Sequence, residues 1–308
     1  MGLACAVPTY TSESVGSLRV PVELPLTLGH EKTGWVHEVG SAVENVAVGD
    51  AVICHPQQSC GLCPACRIGD DMRCAAGLAF NGLNRPGGFA ELLKTTDRTV
   101  LKLPAGQEPA AVAPHADAGL TVMHVVRKAV PLLRPATRVV VVGIGGLGHI
   151  AVQCLRELTA AEVIAVDPDP EALKLAIDCG AHHAVPAGTA GPEVVRLTGG
   201  AGAEAVIDFV GEGDAPSTSL AMVRARGTYF IVGYGGELRV PTFNLVLPEI
   251  SVVGNAVGSH DDLRELIALT AMGGVALRTD TYPLEAFADA VNDLENGRIH
   301  GRGVLIPT

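Results

Sequence analysis

The chain has 308 residues, 48% hydrophobic and 18% charged, which is unlike a disordered chain and more than one core usually accommodates, so two domains are expected. Its formal net charge of -11, with no long basic run, argues against a nucleic-acid partner, because such binding rests on neutralising phosphates. The opening MGLACAVPTYTSES has no basic, apolar signal-peptide pattern, and the most apolar run, Val139 to Leu155, is too short and too interrupted by glycine to span a bilayer. A cytoplasmic protein with no membrane partner is expected.

Residues 18 to 110 hold short β-like runs at Thr33–Val39, Asp50–Cys54, Phe89–Leu93 and Thr99–Leu103, separated by Gly, Pro and Asp, which predicts a compact β-rich domain. Cys60, Cys63, Cys66 and Cys74 interrupt it with the spacing C-x2-C-x2-C-x7-C. Four thiolates on one short loop suit tetrahedral zinc with a closed shell, hence a structural zinc that organises a loop lacking its own core. Disulfides fit poorly with such dense spacing in a reducing compartment.

After Pro114 the pattern changes. Gly119–Val130 reads as a helix and Arg138–Val142 as a buried strand. Strand-like runs at Val163–Asp167, His183–Pro186, Ala205–Val210, Gly227–Val232 and Ile250–Val253 then alternate with helical ones at Pro170–Cys179, Glu193–Thr198 and Ser217–Arg224. Continuous Val/Ile runs alternating with helices predict an α/β, doubly wound parallel sheet covered on both faces. Asp261–Met272 and Leu284–Asn296 look helical, and Gly303–Ile306 closes as a strand.

Directly after Arg138–Val142 comes the turn Gly143-Ile144-Gly145-Gly146-Leu147-Gly148, opening a helix. Here Gly143 permits the tight turn, Gly145 lets the backbone approach a pyrophosphate, and Gly148 allows close helix–strand packing. The helix N-terminus offers its unbonded N–H groups to the phosphates. Asp167 ends the next strand, 19 residues after Gly148, where a carboxylate accepts from adenosine ribose hydroxyls and repels a 2′-phosphate. No Arg follows in Pro168-Asp169-Pro170, so NAD is favoured over NADP.

The strings GHEKTGWVHEVG, the four-cysteine lobe, GGFAE at Gly87–Glu91, the glycine turn and the closing GRGVL resemble zinc-dependent medium-chain alcohol dehydrogenases, from about Leu24 onward. Around Asp117 the chain resembles bacterial secondary-alcohol dehydrogenases that use Asp as a zinc ligand. The resemblance implies a Rossmann domain at 119–255 and a GroES-like catalytic domain at 1–118 completed by 256–308. It implies a catalytic zinc held by His30, Asp117 and Cys5, with Glu31 beside the metal or as an alternate ligand. Arg302 resembles the family's C-terminal Arg near the cofactor phosphates, with a solvated turn cation as the alternative reading. The implied reaction is hydride transfer between an alcohol, a secondary alcohol/ketone or aldehyde pair, and NAD, run by a homodimer or homotetramer.

Cys5-Ala6-Val7-Pro8 lacks the hydroxyl and acid that the family carries after its first zinc-ligating Cys, and the family's usual N-terminal stretch is expected to be missing. Two other readings stand beside the enzyme. One is a zinc-free reductase of the same superfamily, against which the cysteine lobe and His30-Glu31 argue. The other is a truncated, non-catalytic NAD-binding protein retaining its structural zinc. The remaining histidines need no special role, His37 and His55 being read as surface or hydrogen-bonded residues, and Cys54, Cys154 and Cys179 are read as small packed hydrophobes.

Overall fold

The computed structural model describes residues 22–299 and 301–307, with the backbone of the strand Ala4–Ala6. The chain forms two compact units, Met1–Leu120 with Val257–Thr308, and Thr121–Ala256. The first unit holds strands β1 (Ala4–Ala6), β2 (Glu31–Trp35), β3 (Ala51–Cys54) and β4 (Val100–Lys102). The second holds β5 (Arg138–Val142), β6 (Glu162–Asp167), β7 (His183–Pro186), β8 (Ala203–Asp208), β9 (Val223–Ile231) and β10 (Ser251–Gly254). The chain then returns to the first unit for β11 (Thr279–Pro283) and β12 (Arg302–Ile306).

In the first unit the six strands pair in the order β11-β12-β1-β2-β3-β4, antiparallel at every junction except β11 with β12. Its core gathers Ile53, Leu103, Val112, Ala116 and Leu120 against Leu263 and Ile267 of the helix His260–Ala271. That helix starts where it does because Ser259 and Asp262 form a reciprocal cap, each side chain accepting the other's backbone N–H.

The second unit is a wholly parallel sheet in the order β10-β9-β8-β5-β6-β7. Val139, Val140 and Val141 of β5 and Val163, Ile164 and Ala165 of β6 are completely buried, as expected of strands covered on both faces. Chain order reverses beside β5, where the helices of a doubly wound fold pass from one face to the other. A ligand crevice is therefore expected outside the carboxyl ends of β5 and β8. No helix among the described residues is long and apolar enough to cross a membrane.

The structure departs from the sequence-based elements in three places. The run Phe89–Leu93 is not a strand. Instead the amides of Gly87, Gly88 and Phe89 bond the carbonyls of Thr27, Gly29 and Leu28, tying two loops together. The helix expected to run to Arg224 stops at Ala221, and β9 starts at Val223, whose backbone pairs with Ala203. β11, TDTYP, is polar and ends in proline, so it carries no buried-strand signature.

Candidate active site

His30 and Glu31 are placed by a close approach of loop backbones. Gly29 adopts φ +95°, and a Cβ on Gly82 or Gly87 would lie 2.4 Å from Gly29 backbone atoms. Only glycine lets the 82–88 loop pack flat against the segment that presents His30. Asp117 arrives from the other direction, immediately before the helix Ala118–Ala129.

These 87 residues of separation close to a contact: His30 Nε2 lies 3.1 Å from Asp117 Oδ2. His30 is buried and Asp117 nearly so. Glu31 is fully buried beside them, and His30, Glu31 and Asp117 each offer a ligand atom within 4.8 Å of the others. Burial alone would push the Asp117 carboxyl up, but the adjoining His30 outweighs it and holds the group below its ordinary value. Asp117 Oδ1 is buried with no hydrogen-bond partner among the described residues. An orphaned carboxylate oxygen facing an imidazole and a second carboxylate fits a divalent cation, which would satisfy it.

Glu31 is committed on both oxygens. Oε1 accepts the Ala118 N–H at 2.8 Å, and Oε2 pairs with Arg302 Nη2. Burial raises the Glu31 carboxyl, against the pull of Arg302 and His30. Arg302 is not a solvated turn cation: it is 4% exposed on β12, its guanidinium set against the buried Glu31 carboxylate, which otherwise would carry an uncompensated charge. Cys5 has its backbone opposite Lys32 and Leu305, while its side chain lies outside the described residues.

The four cysteines also converge, each Sγ within 4.8 Å of the others, and none forms a disulfide. The sulfurs collect backbone donors: Cys60 Sγ from Leu62 and Cys63, Cys63 Sγ from Ala75, and Cys74 Sγ from Cys60. The Ala75 amide is the main reason the Cys63 thiol falls to about 6, while burial lifts Cys66 to about 11. N–H groups aimed at sulfur stabilise thiolates, the form that ligates zinc. Arg98 ties the lobe to the sheet edge through Asp71 at 2.7 Å and Ser59 at 2.8 Å.

In the parallel sheet, Gly143 takes φ +86° and a Cβ on Gly148 would fall 1.9 Å from the Gly143 carbonyl oxygen, so helix and strand touch there. A Cβ on Gly145 would meet nothing within 4 Å, so the outer face of the turn is open, as a cradle for a pyrophosphate requires. Asp167, at the carboxyl end of β6, accepts the Ile144 N–H at 2.7 Å and the Asp169 N–H at 2.9 Å, which fixes its carboxylate beside the turn.

Two further residues of this unit escaped the sequence reading. His149 donates Nδ1–H to the Gly145 carbonyl at 2.8 Å. Asp208 is fully buried at the end of β8 and gathers the Val210 and Gly211 amides with the Tyr229 hydroxyl. The signal for Asp208 was available, since it ends an apolar strand as Asp167 does.

Comparison with known proteins agrees with this arrangement. Residues 7–105 match the model of the alcohol dehydrogenase GroES-like domain, and residues 146–272 that of the zinc-binding dehydrogenases. An NAD-dependent alcohol dehydrogenase of Saccharolobus solfataricus is 35% identical over 301 residues, 95% of this chain and 86% of that one. An alcohol dehydrogenase of Geobacillus stearothermophilus is 35% identical over 98% of this chain and 89% of its own. The crystal structure of the alcohol dehydrogenase from Aeropyrum pernix superposes with a TM-score of 0.93 at 41% identity, covering 99% of this chain and 90% of that one. The chain belongs to the zinc-binding, medium-chain alcohol dehydrogenases, built from a GroES-like unit and a Rossmann unit.

Proposed function

We propose that this chain is an NAD-dependent zinc alcohol dehydrogenase that moves a hydride between an alcohol, with secondary alcohols the favoured class, and NAD. The observation that carries the reading is the meeting of His30 with Asp117, whose second oxygen is orphaned, in a chain that also holds an open dinucleotide turn. A catalytic zinc would be held by His30, Asp117 and Cys5, with Glu31 alongside, and a structural zinc by Cys60, Cys63, Cys66 and Cys74. When bound, the zinc supplies Lewis-acid polarisation of a substrate oxygen and NAD accepts the hydride.

The chain's own residues do the rest. Asp117 stays ionised and His30 presents an imidazole to the same point. Glu31 grips the amide next to Asp117, so that carboxylate keeps its position. Asp167 receives the adenosine ribose, and the first amides of the helix Gly148–Leu158 face the pyrophosphate. The first unit serves as the catalytic domain, 1–118 with 256–308, and 119–255 as the NAD-binding domain. The enzyme works in the cytoplasm as a homodimer or homotetramer.

Metal analysis paired with NADH absorbance assays over primary and secondary alcohols tests this. Two zinc ions per chain and NAD reduction are expected, one ion for each cluster. Protein that is fully zinc-loaded and binds NADH yet turns over no alcohol would leave the non-catalytic reading in its place.

A further inference from the structure

The dinucleotide turn depends on one peptide. Its Gly145 carbonyl receives two donors from a single residue, the His149 Nδ1–H at 2.8 Å and the more distant His149 backbone N–H at 3.5 Å. His149 is 1% exposed, so its ring lies under the turn rather than on the outer face where Gly145 opens into empty space. The Gly145–Gly146 peptide is trans, and in a trans peptide the C=O and the following N–H point in opposite directions. Holding the Gly145 oxygen inward, along the helix, therefore turns the Gly146 N–H outward. A pair of glycines offers little resistance of its own to rotation of the peptide between them.

We propose that His149 is a positioning residue of the cofactor site: its Nδ1–H fixes the Gly145–Gly146 peptide so that the Gly146 amide faces the cofactor pyrophosphate. His149 acts through the turn and touches no cofactor atom. The side-chain bond is needed because the backbone bond to the same oxygen is too long to hold it firmly. The proposal rests on the reading of this turn as an NAD site.

The test is a fluorescence titration of zinc-loaded protein with NADH, alongside kcat and KM for NAD, zinc content and melting temperature. Loss of one neutral hydrogen bond predicts that His149→Ala raises the NADH Kd and the KM for NAD by about three- to tenfold, with a smaller fall in kcat. His149→Asn, whose amide N–H lies near the position of Nδ1, is expected to hold Kd within about twofold of the parent, whereas His149→Gln behaves as Ala does. If the alanine variant does not fold, the Asn–Gln contrast decides. Wild-type Kd in His149→Ala, equal weakening in Asn and Gln, or a parallel loss of stability and kcat in all three overturns the proposal. Parent protein that binds no NADH overturns the NAD reading itself, a result distinguishable from these.

Discussion

Gly145 and Gly148 lie three residues apart in one turn, yet alanine at each should produce opposite failures. At Gly148 the new methyl would sit 1.9 Å from the Gly143 carbonyl oxygen, a backbone atom that no rotamer change can move. Restoring an ordinary contact requires more than about 1 Å of displacement between helix and strand, and overpacking of this kind costs about 1–3 kcal/mol or more. At Gly145 the methyl meets no protein atom within 4 Å, and φ there is not positive, so the same change should leave the fold as stable or up to about 1 kcal/mol more so. That methyl instead occupies space the pyrophosphate needs. Displacing one charge-assisted N–H contact, about 1.5–3 kcal/mol, weakens NADH by about tenfold or more. Urea unfolding followed by NADH titration reads both quantities. Gly148→Ala as stable as the parent, or Gly145→Ala binding NADH undiminished, would show that the geometric account of the turn is wrong.

Other outcomes follow from the buried charges and clusters. Glu31→Gln keeps an acceptor for the Ala118 amide but leaves Arg302 as an uncompensated buried cation, so the first unit should lose about 3–5 kcal/mol in calorimetry, while the double replacement Glu31→Leu with Arg302→Met recovers most of it. Asp117→Ala should remove one zinc equivalent and alcohol turnover while NADH titration stays normal, because the dinucleotide turn lies in the other unit. Cys63→Ser, or exhaustive chelation, should release the other equivalent and render residues 60–74 sensitive to protease, since that loop is organised by its ligands rather than by a core. Asp167→Ser should raise the ratio of kcat/KM for NADP over NAD, measured by steady-state kinetics, because the repelling carboxylate is gone.

Periodicity and spacing revealed much of this molecule. The run RVVVV and its glycine turn announced a strand buried on both faces entering a helix, and His183–Pro186 lies where the pattern put it. The convergence of Cys60, Cys63, Cys66 and Cys74 could be read from spacing alone because all four fall within fifteen residues. The meeting of His30 with Asp117 was different. Nothing local encodes a contact across 87 positions, and only the resemblance to a family pointed to it. The burial of Arg302 was hidden for a related reason: a cation between glycines reads as solvated, and its burial depends on Glu31, 271 residues earlier. His149 was passed over because its work is a single bond to the backbone, which leaves no pattern of residue types.

The order of strands has a consequence for how the protein is made. β12 lies between β11 and the other four strands, so β11 stays detached from the sheet of the first unit until β12 has been made. Residues 121–256 can complete their own sheet long before that, as expected for units that fold in order of synthesis. Arg302 arrives with β12, which means Glu31 waits for its counter-charge across the 271 positions that separate them. A nascent chain that has not reached β12 would carry its dinucleotide turn already built, while the Glu31 carboxylate, bonded to the Ala118 amide, still lacked its counter-charge.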